Sequence, residues 1–256
     1  MQIHATAIID PKAHLSKDVH IGAYSIIGPG VYLEDRVKIH EHVVIKCNTR
    51  IGEDSEIYPF VSLGESAQDL KSIQDNNILI IGARTTIREH SSIHAASQPG
   101  KQTQLGSDCF IMGQVHIGHD CNIGNHVIIT QASMLAGHVT IHDFANLSGN
   151  VAVHQGVSIG KHVFVGGKTG VRQDIAPYCS VEGHPARLLG LNSVGLKRHG
   201  FLFEDRLFLK KAFKILFMSN LLIEEACKQL ELYQNPMVDE LLQFARNSKR
   251  GLLRKL

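Results

Sequence analysis

An aliphatic residue recurs at every sixth position over most of this chain. From Ile3 to Val171, 26 of the 29 positions in this phase hold Ile, Leu or Val. A period of six fits neither the 3.6-residue turn of an α-helix nor the two-residue alternation of a β-strand. It fits short strands separated by turns, with one side chain per strand pointing inward. Three such strands make a coil of about 18 residues, and stacked coils pair their strands in parallel.

The same spacing predicts a rod with a packed interior. Because paired strands lie about 4.8 Å apart, roughly nine coils would give a rod about 45 Å long. Its centre would be a column of Ile, Leu and Val side chains. A rod filled in this way has to carry its function on the outside.

Two polar segments interrupt the period and then return to it in phase. The three positions that break the pattern are Asp69, Asp75 and Pro99, and they lie in excursions near residues 65–78 and 94–104. Loops that leave a rigid scaffold commonly carry function. The alternative is a pair of tolerated surface insertions.

The period ends after Val171, and helical spacing of apolar residues begins near residue 191. We therefore expect two domains, a mainly β domain over 1–190 and an α-helical domain over 191–256. The second part is basic, with 12 Lys and Arg against 7 Asp and Glu, whereas the first part has 14 against 17. A basic surface suits docking of an acidic partner, although it is also typical of a solvated helical face.

Composition excludes several classes of protein. Apolar residues make up 43% of the chain and charged residues 20%, as in folded globular proteins rather than disordered ones. There is no run of about 20 apolar residues, so we expect no transmembrane segment. The five cysteines form no CxxC pair, which favours free thiols and a cytoplasmic location. We expect no nucleic-acid partner.

One edge of the predicted rod gathers groups that suit acyl transfer. Residues 18 positions apart should lie above one another, which stacks His119, Gly137 and Gln155 and puts Asp120 one coil below His138. An imidazole can act as a base, a carboxylate can fix its tautomer, and a glycine N–H can stabilise an oxyanion. Because no Ser or Cys lies in a motif such as GxSxG, we expect direct attack by an acceptor hydroxyl.

A metal site is the alternative use of the same histidines. His116, His119 and His138 could ligate a metal ion, although HxxH alone is a weak signature.

An ordered set of segments gives the chain a family resemblance. They are IGEDSEIYPFVSLGE, QDLK, VHIGHDCNIGN, LAGHV, AVHQ and GLNSVGLKRHG. Over essentially its whole length the chain resembles the hexapeptide-repeat UDP-N-acetylglucosamine 3-O-acyltransferases, which begin lipid A assembly. The resemblance implies a left-handed parallel β-helix and a homotrimer with sites between subunits. It also implies transfer of an (R)-3-hydroxyacyl chain from acyl carrier protein to the 3-hydroxyl of UDP-N-acetylglucosamine, with no cofactor and no metal.

The resemblance also implies roles for individual residues. His119 would be the general base, Asp120 would orient and charge it, Gly137 would supply the oxyanion N–H, and His138 would bind substrate. Asp69 would hold the glucosamine, and Lys71 a phosphate or the acyl-carrier arm.

The remaining substrate contacts follow from the same segments. The residues that would line the nucleotide-sugar and pantetheine cleft are His94, His116, His154 and Gln155. Asn192 and Arg198 would contact the nucleotide, and a guanidinium suits the pyrophosphate because it can bind two oxygens at once. Gly167 would form the floor of the acyl-chain ruler, where a glycine leaves the groove open to a long chain.

The chain departs from the family pattern at a few positions. Val194 stands where the family often has Glu, His199 where it has a second Arg, and Ala95–Ser97 where an Arg-Gly pair is common.

Three other functions stay open at this point. One is a zinc-dependent hexapeptide-repeat carbonic anhydrase, although its usual HxxxxH pair has no close match around His116 and His119. Another is an acyltransferase that forms an amide on a 3-amino UDP-sugar. The third is a non-catalytic scaffold.

Overall fold

The computed structural model describes residues 1–46, 48–73 and 77–254 as a coil of short strands followed by four α-helices. The strands lie in three sheets. Sheet A contains Gln2–Ile3, His20–Ile21, Lys38–Ile39, Glu56–Ile57, Thr86–Ile87, Phe110–Ile111, Ile128–Ile129, Asn146–Leu147, Phe164–Val165, Cys179–Glu182 and Arg187–Leu191. Sheet B contains Ile8–Ile9, Ile26–Ile27, Val44–Ile45, Ser62–Glu65, Ser92–His94, His116–Ile117, Met134–Leu135, Ala152–Val153 and Gly170–Val171. Sheet C contains His14–Leu15, Tyr32–Leu33, Thr49–Ile51, Ile78–Ile81, Gln102–Leu105, Asn122–Ile123, Thr140–Ile141 and Ser158–Ile159.

The chain visits sheets A, B and C in turn, and two-residue turns form the corners of the coils except where an excursion takes the place of a turn. In the upper coils the A–B corner holds residues 113–114, 131–132, 149–150 and 167–168. The B–C corner holds 119–120, 137–138 and 155–156, and the C–A corner holds 125–126, 143–144 and 161–162. The second residue of a turn is left-handed, with φ of 57° at Asp120 and 60° at His138. This conformation is one that Asp, Asn and His adopt more readily than most residues.

The predicted aliphatic column is present at the centre of the coil. The inward residues of successive strands in sheet A, such as Ile39, Ile57, Ile111 and Ile129, are fully buried. Each buries a side chain worth about 1.5–3 kcal/mol of transfer free energy. A strand of two residues has no stability of its own, so stacking on this column holds the strands in place.

Both predicted excursions leave the coil at the B–C corner. The first joins Ser62–Glu65 to Ile78–Ile81, and the second joins Ser92–His94 to Gln102–Leu105. Their ends return to the parallel ladder, where Leu79 pairs with Thr103. Asp75 lies outside the described residues. The excursions therefore add loops to one edge of the rod without disturbing its core.

The last coil ends in a hairpin and the helices. Cys179–Glu182 pairs in parallel with the coil below and antiparallel with Arg187–Leu191. Helix α1 spans Ser193–Arg198, α2 spans Phe203–Phe213 and continues as a π-helical turn over Lys214–Met218, α3 spans Ile223–Glu231, and α4 spans Pro236–Asn247. Asn235 caps α4 through its Oδ1, which accepts the N–H of Met237 at 2.9 Å. Among the described residues, no helix has the length and apolar character needed to cross a membrane.

A buried carboxylate fastens the C-terminal segment to the end of the coil. Asp174 is 1% exposed, and its Oδ1 accepts the N–H of Ser158 at 2.8 Å. Its Oδ2 accepts the hydroxyl of Ser248 at 2.7 Å and the N–H groups of Lys249 and Arg250 at 3.0 Å. The coil and the helices also share one hydrophobic core. The division between residues 190 and 191 into two domains therefore stays a prediction.

Candidate active site

His119 and Asp120 form a hydrogen-bonded pair at the B–C corner. Nδ1 of His119 lies 2.7 Å from Oδ2 of Asp120. Successive side chains of an extended strand point to opposite faces, but the left-handed backbone at Asp120 brings its carboxylate beside the preceding ring. A carboxylate only accepts hydrogen bonds, so Nδ1 carries the proton and Nε2 is left as an acceptor. This tautomer is the one that a general base needs.

The carboxylate of Asp120 is stabilised in its charged form. Its Oδ2 also accepts the backbone N–H of Ser97 at 3.1 Å, and its side chain is 13% exposed. Burial is the largest influence and raises the pKa, but hydrogen bonds from His119 and Ser97 together outweigh it and hold the pKa of Asp120 below its usual value. A negative charge therefore remains beside the ring that would take up a proton.

Gly137 lies against the ring of His119. A Cβ at residue 137 would lie 2.5 Å from both Cε1 and Nε2 of that ring. Real Cβ atoms do not approach so closely, so a glycine is needed for the imidazole to occupy this place. The stack of His119 on Gly137 that the spacing predicted is present.

The N–H of Gly137 lies outside the hydrogen-bond ladder of the coil. In the upper coils the second residue of a turn donates to the first residue of the turn below, as His138 does to His119 at 2.9 Å; Asp120, whose N–H donates to Oγ1 of Thr103, is an exception. The first residue has no such bond. At the C–A corner a side chain caps this group, since Asp143 Oδ1 accepts from Asn125 at 2.8 Å. Within the described part of the chain nothing caps the N–H of Gly137, although the residue itself is buried.

His138 completes a cluster of three polar side chains. Its Nε2 lies 3.8 Å from Oδ2 of Asp120, which is too long for a hydrogen bond, and its ring meets that of His119 edge-on at 5.0 Å. The donor atoms of His119, Asp120 and His138 lie within 4.8 Å of one another and could hold a metal ion.

The alternative of three histidine ligands has no support among the described residues of one chain. His116 belongs to a strand of sheet B rather than to the corner, and its Nδ1 lies 2.9 Å from the hydroxyl of Ser92. It is absent from the set of donor atoms around His119. Burial and the neighbouring His94 hold the pKa of His116 below its usual value, which favours a neutral ring.

The first excursion brings Asp69 and Lys71 to the same corner. Asp69 Oδ1 accepts the N–H of Lys71 at 2.9 Å and its C=O accepts the N–H of Ser72 at 3.0 Å, so these residues form a tight turn. The exposed side chain of Lys71 is free to contact a ligand. The Ser97 carbonyl oxygen accepts the N–H of Ile73 at 2.9 Å, and Ser97 also contacts Asp120. The loop is thus joined to the His119–Asp120 pair.

His94 and His116 form a second histidine pair on the adjoining face of sheet B. His94 is 8% exposed, and its Nδ1 lies 2.6 Å from the C=O of Ser66. That contact leaves Nε2 of His94 as an acceptor. The rings of His94 and His116 meet edge-on at 5.1 Å.

His154 and Gln155 lie one coil above Gly137 at the B–C corner. Both side chains are exposed. Nδ1 of His154 lies 3.0 Å from a guanidinium nitrogen of Arg250, in the C-terminal segment that Asp174 fastens. Arg250 had no sequence signal, because only the folded end of the chain brings it here.

Asn192 and Arg198 lie at a different corner. Asn192 Nδ2 donates to the C=O of His162 at 2.9 Å, and its Oδ1 accepts the N–H of Gly195 at 3.0 Å. Asn192 therefore caps α1 against the C–A corner. Arg198 is exposed in the last turn of that helix.

Gly167 lies at the third corner, between sheets A and B, and is exposed. A Cβ at this position would meet only the C=O of Gly149 at 3.4 Å and Cβ of Ser148 at 4.0 Å. A side chain at residue 167 would therefore extend into open space without strain. In a single chain the predicted site residues are thus divided among three corners.

A buried histidine, His162, pairs with the exposed His199 at the end of α1, and no sequence pattern indicated this contact. Nδ1 of His162 lies 2.8 Å from Nδ1 of His199, so one ring donates and the other accepts. Burial, and next the neighbouring His199, lower the pKa of His162 to about 4.

Two family descriptions match parts of the chain. Residues 174–253 match "UDP N-acetylglucosamine O-acyltransferase; Domain 2". Residues 1–35 and 102–137 match the bacterial transferase hexapeptide (six repeats).

Several known proteins are similar to the chain over nearly its whole length. An acyl-[acyl-carrier-protein]–UDP-N-acetylglucosamine O-acyltransferase of Thermodesulfovibrio yellowstonii is 46% identical over 99% of both chains. The protein of the same name from Syntrophobacter fumaroxidans is 44% identical over 99% of this chain and 100% of its own. The crystal structure of the UDP-N-acetylglucosamine acyltransferase of Francisella novicida superposes with a TM-score of 0.95 at 32% identity, covering 99% of this chain and 94% of that one. These likenesses confirm the predicted fold class, a left-handed parallel β-helix of hexapeptide repeats with helices at the C-terminus.

Proposed function

The chain belongs to the family of acyl-[acyl-carrier-protein]–UDP-N-acetylglucosamine O-acyltransferases, and from this premise we propose how its residues carry out the reaction. The protein is an acyltransferase of lipid A biosynthesis that moves an acyl chain from acyl carrier protein to UDP-N-acetylglucosamine. The acceptor is the 3-hydroxyl group of the sugar, and the donor is an (R)-3-hydroxyacyl thioester of acyl carrier protein.

His119 is the general base. Its Nδ1–H is held by Asp120 at 2.7 Å, so Nε2 accepts the proton of the 3-hydroxyl as that oxygen attacks the thioester carbon. The charged carboxylate stabilises the imidazolium that results. The N–H of Gly137, which the coil leaves without a partner, stabilises the oxyanion of the tetrahedral intermediate.

Collapse of the intermediate completes the reaction. The carbon–sulfur bond breaks, and the thiolate of the phosphopantetheine arm takes the proton from His119. The products are the ester of the sugar and the free thiol of the carrier protein. No side chain becomes acylated, because the acceptor hydroxyl attacks directly.

The stack of Asp120, His119 and Gly137 is the observation that carries this proposal. Three independent features support one chemistry: the tautomer set by Asp120, the free N–H, and a glycine where a Cβ would lie 2.5 Å from the ring. His138, His94, His116, His154 and Gln155 bind the substrates around this stack, and Asp69 and Lys71 hold the sugar and a phosphate.

A homotrimer brings the three corners together. In one chain Arg198 and Asn192 lie at the C–A corner and Gly167 at the A–B corner, away from His119. In a homotrimer, the B–C corner of one copy can face a different corner of its neighbour. The neighbour then supplies the missing wall of a concave site. Arg198 then binds the pyrophosphate, and Gly167 leaves the groove open to the acyl chain.

Mixed trimers test this arrangement. Coexpression of the His119→Ala and Arg198→Ala chains should restore part of the transfer at low sugar concentration. In such mixed trimers, some sites combine an intact His119 from one chain with an intact Arg198 from the other. Activity no higher than that of the separate variants would contradict a site shared between copies.

The protein works in the cytoplasm. Four buried cysteines, Cys109, Cys121, Cys179 and Cys227, are free thiols, which suits a reducing compartment. Cys47 lies outside the described residues. A cytoplasmic location also matches a donor carried on acyl carrier protein.

A transfer assay tests the proposed reaction. Purified protein is offered UDP-N-acetylglucosamine, or its 3-amino analogue, with a series of 3-hydroxyacyl carrier proteins, and the products are identified by mass spectrometry. We expect an ester on the 3-hydroxyl. Transfer to the 3-amino sugar alone would overturn the assignment of the acceptor, and a requirement for stoichiometric zinc would overturn the mechanism.

A further inference from the structure

The second excursion holds Asp120 at two points. Oγ1 of Thr103 accepts the backbone N–H of Asp120 at 2.8 Å, and the backbone N–H of Ser97 donates to Oδ2 of Asp120 at 3.1 Å. Thr103 is 1% exposed and Ser97 is 4% exposed, so water does not compete strongly for either contact. Asp120 is thus held from its backbone and from its carboxylate by one loop and the strand that follows it.

These contacts matter because Asp120 has a left-handed backbone. Its φ of 57° is accessible to Asp but costs conformational freedom, and it directs the carboxylate to Nδ1 of His119. The Thr103 hydroxyl binds the N–H of this same residue and so favours the turn that creates the pair. Without that acceptor, the half-buried N–H of Asp120 would favour a different backbone conformation in which it can donate to another group.

The same loop also holds the turn that carries Asp69 and Lys71. The C=O of Ser97 accepts the N–H of Ile73 at 2.9 Å and the hydroxyl of Ser72 at 3.2 Å. The side chain of Gln98 donates to the C=O of Lys71 at 3.2 Å. The peptide groups of Ser97 therefore lie between the first excursion and the carboxylate of Asp120.

We propose that Thr103 and Ser97 are positioning residues for the His119–Asp120 pair, and that Ser97 couples this pair to the seating of the Asp69–Lys71 turn. The inference rests on the proposed function, because it takes His119 as the base. Sugar that binds the Asp69–Lys71 turn then fixes Ser97, and Ser97 in turn fixes Asp120. The second excursion is accordingly part of the catalytic apparatus without touching the reacting atoms.

Replacement of Thr103 tests the first contact. Thr103→Val keeps the shape of the side chain and removes the acceptor, and we expect kcat to fall about ten- to a hundredfold with KM for the nucleotide sugar nearly unchanged. Thr103→Ser restores the acceptor, so it should recover most of the rate. A loss that Ser does not rescue, or a Thr103→Val enzyme within twofold of the parent, would overturn the proposal.

Thr85→Val is the matched control. Thr85 is fully buried, and its Oγ1 accepts the N–H of Cys109 at 3.2 Å near the C–A corner. Thr85→Val therefore loses the same kind of contact at a distance from His119, together with the hydrogen bond that Oγ1 of Thr85 donates to the C=O of Gly106 at 3.0 Å. We expect a fall in Tm at least as large as that of Thr103→Val but an unchanged kcat. An equal fall in kcat would show that Thr103→Val acts through general destabilisation, which would contradict the positioning role.

A double-mutant cycle tests the coupling through Ser97. Ser72→Ala removes one donor to the Ser97 carbonyl, and we expect its effect on kcat/KM to depend on Thr103 by more than about threefold, as for residues of one hydrogen-bond network. Additive effects within twofold would overturn the coupling. Failure of the proposed function is a separate result: it would show as a parent protein that transfers no acyl chain, or as undiminished transfer by His119→Ala.

Discussion

The contact between Gly137 and His119 makes a sharp prediction about a single methyl group. In Gly137→Ala the new Cβ would lie 2.5 Å from Cε1 and Nε2 of the ring. An ordinary carbon contact is about 3.5 Å, so the ring has to move by about 1 Å. A movement of this size changes the contact of Nδ1 with Asp120, which is 2.7 Å long, and the position from which Nε2 would take the proton of the attacking hydroxyl.

A displacement of this size should lower the rate of transfer strongly and change the stability of the fold little. Misplacement of a catalytic group by about 1 Å can reduce a rate about a hundredfold, which corresponds to about 2.7 kcal/mol in the barrier. The backbone of Gly137 is not left-handed, so alanine fits its conformation. We therefore expect kcat/KM to fall about a hundredfold with a Tm within a few degrees of the parent.

Initial rates of acyl transfer, measured with UDP-N-acetylglucosamine and a 3-hydroxyacyl carrier protein, give the comparison. Gly149→Ala is the control, since Gly149 is also the first residue of a turn and its Cβ would meet nothing closer than 3.4 Å. It should retain the parent rate. A Gly137→Ala enzyme within threefold of the parent, or an equal loss in Gly149→Ala, would refute the reasoning.

Three further outcomes are expected. Arg198→Ala should mainly raise KM for the nucleotide sugar in steady-state kinetics, and an effect confined to kcat would contradict its binding role. Gly167→Met should shift preference towards shorter acyl chains without loss of Tm, because its side chain extends into open space; an unaltered chain-length profile would count against the ruler. The lowered pKa of Asp120 means that the folded state favours the charged carboxylate. Asp120 therefore adds to the free energy of unfolding above the usual Asp pKa of about 3.9. This contribution is lost as the pH falls through the lower pKa of the folded state. Urea titrations of the parent and Asp120→Asn should therefore differ near neutrality and converge in acid; a difference that grows on acidification would show the opposite sign.

The six-residue period was sufficient to predict the coil because one side chain per strand decides the core. Ile39 and Ile57, and Ile111 beyond the excursions, are buried as the phase requires. The excursions keep that phase because the two insertions are multiples of six residues, although pairing across them no longer follows an offset of 18: Glu56 pairs with Thr86, and Ser92 with His116.

The position of the excursions was also available from the sequence. Counting the sides of the coil from Ile3 puts both excursions after a strand of sheet B, and His119 follows another strand of that sheet. The loops therefore had to lie at the corner that carries His119. The same count places Ser97 and Thr103, in and directly after the second excursion, near the corner that carries His119.

Other features depended on backbone conformation and distant contacts. The pairing of His119 with its neighbour Asp120 follows from a left-handed turn, and the need for glycine at 137 follows from where that ring lies. No local pattern links His162 to His199 or His154 to Arg250, because each pair joins the coil to the C-terminal part.

Loss of the imidazole at residue 119 tests the central claim most directly. The rate of transfer to UDP-N-acetylglucosamine is measured for the parent and for His119→Ala under identical conditions, with Tm recorded for both. If His119 is the base, transfer falls by at least about a thousandfold while Tm stays nearly unchanged, since the side chain lies at a corner outside the aliphatic column. Transfer by His119→Ala within tenfold of the parent would contradict the account.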